Sequence, residues 1–94
     1  MLFVVIAKDG NDPQALQRRL AVREQHLQGI QPAAQSGMLQ VGGAILDADG
    51  KMVGSMLLVD AESESEVRTF LDNDIYSQAQ VWQSFEIYPF RRAV

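Results

Sequence analysis

A single histidine, His26, stands between arginines and leucines that recur at helical spacing. Histidine is the one side chain whose unperturbed pKa lies near neutrality, which makes His26 the natural candidate for moving a proton. At about 100° per residue it lies on the shoulder of a stripe formed by Leu16, Leu20, Leu27 and Ile30, one turn from Arg23 and on the same flank as Arg19. Arg23 fills the slot between Leu20 and Leu27 on that stripe. A cation on an apolar face pairs with a carboxylate or a bound anion, or else carries its charge out to solvent along its aliphatic stem. The first option makes Arg23 a holder for a substrate carboxylate or enolate beside His26, and the second makes it structural. Asp74 lies in the stretch Asp72-Asn73-Asp74-Ile75-Tyr76, where acids also serve ordinary turn and capping roles. Ser55 is open to either reading, and Trp82 and Tyr88 suit an interface as well as a ligand wall. Taken one at a time, each of these residues has a simpler structural explanation.

Composition removes several classes of function. The formal charge of −4 argues against a nucleic-acid partner, which needs clustered Lys and Arg to neutralise phosphates. There is no cysteine, hence no disulfide and no thiolate chemistry, and one histidine without cysteine argues against a transition-metal site. The chain has no glycine-rich phosphate loop, no HExxH pair and no Gly-x-Ser-x-Gly elbow, so no cofactor and no metal are expected. The apolar opening, Leu2 to Ala7, lacks a basic leader and is too short for a signal core or a membrane span. It reads as a strand, and a cytoplasmic protein is expected.

The elements that must position these residues follow in order. Residues 2–8 form strand one, apolar at nearly every position and bounded by a Gly/Asn/Asp/Pro cluster. Asp12-Pro13 opens a long helix, which Gly29 and Pro32 weaken near its end and Gly37 closes. Residues 38–46 and 52–60 form a hairpin around Asp47-Ala48-Asp49-Gly50-Lys51. Ser63 caps a second helix with acids in its first turn and an apolar face of Val67, Phe70 and Leu71, ending near Asp72-Asn73-Asp74. Residues 81–90 alternate, with Phe85 and Ile87 on one side and Trp82, Ser84, Glu86 and Tyr88 on the other.

The order β-α-β-β-α-β is the split βαβ pattern of a ferredoxin-like α+β domain, and residues 1–94 read as one such domain. Right-handed crossovers place both helices on one face of a four-stranded antiparallel sheet. The other face is left bare, yet strand one and Met56-Leu57-Leu58-Val59 are apolar on both sides. An apolar sheet face of that extent calls for a cover, and a homodimer through the helix-free face supplies one.

Several short stretches together resemble the YciI-like (YCII-related) family: the opening Met-Leu-aromatic-Val strand, Arg19 to Leu27, Gly37-Met38-Leu39, Gly42-Gly43, Gly54-Ser55, Asp74-Ile75-Tyr76 and the closing Ile87-Tyr88-Pro89-Phe90. The resemblance runs almost end to end and implies a dimeric α/β barrel. It implies that His26 and Asp74 form an acid/base pair, that Tyr76 is the aromatic following the aspartate, and that Ser55 is a pocket residue. One departure stands out, Ile75 where the family usually has proline.

The expected function is therefore a small acid/base enzyme of the lyase or isomerase type. His26 would move a proton next to a carbonyl, Asp74 would fix its tautomer, Arg23 would hold an anionic group, and Tyr76 and Ser55 would line the pocket. The alternatives are a binding module that captures a small organic acid without transforming it, and an accessory interaction domain whose His26 and Asp74 lie apart.

Overall fold

A computed structural model describes all residues from Met1 to Val94. Strand β1 (Leu2–Asp9) leads into helix α1 (Ala15–Ser36), then come β2 (Leu39–Leu46), β3 (Met52–Asp60), α2 (Glu64–Asp72), the short α3 (Ile75–Gln78) and β4 (Trp82–Phe90). The four strands form one antiparallel sheet in the order β2-β3-β1-β4, the ferredoxin-like arrangement expected from the sequence.

Register decides which side chains meet. Phe3, Val5 and Ala7 lie opposite Val59, Leu57 and Ser55 on one neighbour, and opposite Pro89, Ile87 and Phe85 on the other. These residues face the helices. Phe3, Val5, Ala7, Leu57 and Val59 join Val67 and Leu71 of α2 and Tyr76 of α3 in a single buried cluster, against which Val22, Ile30 and Ala33 of α1 pack. Full burial of side chains such as Val5, Val59, Val67 and Leu71 stabilises the fold by about 1.5–3 kcal/mol each. The opposite face carries Val4, Ile6, Met56 and Leu58, flanked by Val41 at 46 %, Tyr88 at 50 % and Phe90 at 42 % exposure.

Three local features differ from the sequence-based expectation. Helix α1 begins at Ala15 rather than at Pro13: Ala15 N–H closes a turn on the Asp12 carbonyl at 3.1 Å, and the Asp12 carboxylate accepts from Gln14 N–H and from Arg18 within that turn. It also runs unbroken through Pro32 to Ser36, where Gly37 closes it at φ 87°. Proline removes one helical N–H, and here the acceptor left without it belongs to exposed Gln28, within reach of water. The third feature concerns Trp82. A register shift between Lys8 and Asp9 pairs Trp82 with Asp9, which turns the indole to the helix side, within ring contact of Phe85, not to the side shared by Glu86 and Tyr88.

The buried face of α1 is likewise rotated from the leucine stripe. Ala15, Arg19 and His26 are buried, with Val22, Ile30 and Ala33 half-buried on the same face, whereas Leu20 is 52 % exposed. The charge carried inward is thus Arg19, and Arg23 is exposed. The cause is electrostatic pairing, since Asp9 and Asp74 supply carboxylates under α1 that fix polar residues there.

Candidate active site

Arg19 and His26 are two turns apart on α1, so both side chains leave the helix on the same side. Asp74 meets them from the far end of α2. It is the N-cap of α3, and its Oδ1 accepts a hydrogen bond from Tyr76 N–H at 2.8 Å. The same oxygen lies 2.7 Å from His26 Nδ1, with the two side chains 10 % and 5 % exposed. Ile75 takes the first helical position, where proline is also favoured, and the cap forms with isoleucine there.

Asp74 as an ionised carboxylate only accepts, so Nδ1 of His26 is the nitrogen that carries the proton. Nε2, across the ring, makes no hydrogen bond within the chain and in the neutral ring bears the free lone pair. The imidazole is held flat against Tyr76, with ring centres 3.7 Å apart and planes within 6°. Trp82 meets both rings edge-on, at 5.7 Å and 5.4 Å. A ring clamped in this way cannot rotate, and its remaining nitrogen has a fixed direction.

Arg19 forms the second half of the site. Its Nη1 donates to both oxygens of Asp9 at 3.0 and 2.9 Å, and its Nη2 donates to Ser55 Oγ at 2.9 Å. Its Cζ lies 4.8 Å from the centre of the Tyr76 ring. Trp82 Nε1 donates to the same Ser55 Oγ at 3.1 Å. Burial pushes the Asp9 carboxyl above its ordinary value and outweighs the opposing pull of Arg19. Burial likewise pushes the Tyr76 phenol up, against the charges of Arg19 and Arg23.

These side chains surround a cavity of about 150 Å³ between α1 and the β2–β3 hairpin. Arg19, His26, Ser55, Tyr76 and Trp82 form its polar and aromatic end, and Arg23 lies on its rim. Leu27, Ile30, Leu39 and Met52 with Gly42 and Gly43 line the rest. His26 also borders a second, polar recess on the Asp74 side, about 180 Å³ in volume. All five residues singled out from the sequence, His26, Asp74, Arg23, Ser55 and Tyr76, therefore come together around His26. Asp9, the burial of Arg19 and the inward turn of Trp82 were not foreseen. The seven-residue spacing of Arg19 and His26 was the available signal for the second.

Comparison with known proteins agrees with this architecture. A family model described as the YCII-related domain matches residues 1–91. The chain belongs to the YCII-related family. Among its relatives, protein YciI of Escherichia coli is 30 % identical over 98 residues, covering 98 % of each chain. Fusaric acid biosynthesis protein 2 of Gibberella fujikuroi is 29 % identical over 87 residues and 84 % of each chain. Among solved structures, the 5-chloro-2-hydroxyhydroquinone dehydrochlorinase of Burkholderia phenoliruptrix, in complex with 2,5-dihydroxybenzoquinone, is 33 % identical. It superposes with a TM-score of 0.86, covering 99 % of this chain and 96 % of that one. No helix of this chain is long and apolar enough to cross a membrane.

Proposed function

We propose that this protein is an acid/base enzyme of the lyase or isomerase type, acting on a small organic substrate with an anionic or readily ionised oxygen. The reading is carried by the 2.7 Å contact between Asp74 Oδ1 and His26 Nδ1, closed to solvent and set beside a cavity. In this scheme Nε2 of His26 takes a proton from the substrate, and the electron pair of the broken bond moves onto the adjoining oxygen. The pair then returns to the ring or chain, either to expel a leaving group that departs with its own electrons or to accept a proton at another carbon. Asp74 holds the tautomer and stabilises the imidazolium. Arg19 and Arg23 supply positive charge at the floor and rim of the cavity, and Tyr76 and Trp82 form aromatic walls. The dehydrochlorination named for the structural neighbour is one reaction of this kind.

We further propose that the active form is a homodimer joined through the helix-free sheet face. Val4, Ile6, Met56 and Leu58 with exposed Val41, Tyr88 and Phe90 make a contiguous apolar surface there, which a second copy would cover.

The test is direct. The protein is incubated with 5-chloro-2-hydroxyhydroquinone and with a panel of small hydroxylated ring acids, and chloride and organic products are followed. His26→Ala is expected to lower turnover of any substrate found by about 10²–10⁴-fold. Unchanged turnover removes His26 from the mechanism. Ligand-induced thermal stabilisation without any product identifies a binding module instead. An accessory domain with an incidental pocket finds no support in a histidine–carboxylate pair at hydrogen-bond distance.

A further inference from the structure

We infer that Ser55 serves this cavity as a fixed hydrogen-bond donor, aimed at a substrate oxygen that carries or gains negative charge. The inference rests on the acid/base reading and names the group that recognises the substrate's oxygen.

Ser55 Oγ accepts from Arg19 Nη2–H at 2.9 Å and from Trp82 Nε1–H at 3.1 Å. Guanidinium and indole N–H groups are donors with no lone pair to offer in return, so neither bond can be reversed. A hydroxyl oxygen has two lone pairs, and both are now occupied. What remains is the O–H hydrogen, which finds no acceptor within the chain. Ser55 is only 3 % exposed, and it lines the cavity. A buried donor without a partner costs free energy, so the geometry reserves this hydrogen for whatever occupies the cavity.

Three further observations sharpen the assignment. Arg19 cannot swing away to release the serine, because its Nη1 is held by both oxygens of Asp9. A cation bonded to Oγ draws electron density from it and strengthens the O–H as a donor. The indole of Trp82 touches the His26 ring edge-on at 5.7 Å and donates to Ser55, so proton acceptor and hydroxyl donor share one aromatic wall. A substrate fitting both has an acidic hydrogen close to a carbonyl or phenolic oxygen, as in hydroxylated aromatic rings, hydroxyquinones and enolisable carbonyl acids. When His26 removes the hydrogen, charge develops on that oxygen, and Ser55 is placed to meet it.

Equilibrium binding tests this without turnover. The probes are 2,5-dihydroxybenzoquinone, ring-substituted phenols of graded basicity, and the methyl ethers of those phenols. For the wild-type protein, affinity is expected to rise with the basicity of the phenolate oxygen. Ser55→Ala should flatten that dependence and weaken the most basic phenolates and the quinone by about 10- to 100-fold, while the methyl ethers change by less than about 3-fold. Ser55→Cys keeps an atom for Arg19 and Trp82 to rest against but donates poorly. It should flatten the dependence in the same way, and it is the variant to read if the alanine protein fails to fold. An equal loss for phenolates and ethers, with the basicity dependence intact, overturns the inference, as does a wild-type protein that binds none of the probes. Loss of the dependence together with undiminished turnover by His26→Ala would retain Ser55 as donor while removing the acid/base reading.

Discussion

Replacing Asp74 by alanine removes one oxygen that serves two elements at once. Oδ1 caps α3 through Tyr76 N–H at 2.8 Å and holds His26 Nδ1 at 2.7 Å, with both side chains almost closed to solvent. Loss of an N-cap costs about 0.5–2 kcal/mol, and a buried ring N–H left without its acceptor costs about 1–3 kcal/mol. Because the two losses share one atom and one local rearrangement, the expected total is about 2–4 kcal/mol, a large fraction of a small domain's stability. In urea, with a slope of about 1–2 kcal/mol per molar, the midpoint should fall by about 1–4 M. Asp74→Asn provides the control. Asparagine caps a helix as well as aspartate does, and its amide oxygen can still accept from Nδ1–H, so only the charge-assisted part is lost, about 1 kcal/mol. The ordering wild type, Asn, Ala should therefore appear in equilibrium unfolding followed by Trp82 fluorescence. An alanine variant as stable as wild type would refute the dual role of Oδ1. Asparagine as damaging as alanine would show that charge, not capping, dominates at this corner.

Three more outcomes are expected. Ile6→Lys puts a charge in the middle of the helix-free sheet face without touching the cavity, and sedimentation should show a shift from dimer to monomer; an unchanged mass would place the interface elsewhere. Gly54→Ala should destabilise by about 1–3 kcal/mol, because an added Cβ would sit 2.5 Å from the Ala7 carbonyl oxygen; Gly42→Ala, whose Cβ meets only Leu39 at 3.5 Å, should leave thermal melts nearly unaltered. Since burial raises the Asp9 carboxyl, the folded state holds that proton to higher pH than the unfolded chain does. Its contribution to stability is therefore present below the ordinary aspartate value and lost as pH rises through the raised one, a component that Asp9→Asn should lack in urea titrations across that window.

Much of this architecture is readable in the residues themselves. The apolar run of β1, the Asp/Gly turn at residues 47–50, the Ser63 cap and the alternation of Phe85 and Ile87 each follow from local rules, and together they fix the β-α-β-β-α-β order. His26 was identifiable by residue type and Asp74 by resemblance to the YCII-related family, and the fold brings them within 2.7 Å. What local rules could not supply was pairing across the chain. Leucines at helical spacing imply a core face, yet Leu20 is exposed because Arg19 finds Asp9 and Ser55 below it, at sequence separations of 10 and 36 residues. Strict alternation likewise assigns Trp82 to the side of Glu86, and only the register shift beside Asp9 reverses it. The four-residue α3 is too short for any periodicity, although Asp74 bears the mark of its cap. For Leu20 and Trp82 a long-range partner overrode a local pattern, and each of those partners lies in the site.

The arrangement at His26 can be tested most directly by two-dimensional ¹H–¹⁵N NMR of its ring, recorded at a pH where the imidazole is neutral. A protonated Nδ1 with an unprotonated Nε2 is expected in the wild-type protein, giving way to a tautomer mixture in Asp74→Ala. A wild-type ring protonated chiefly at Nε2 would contradict the assignment of that nitrogen as the proton acceptor.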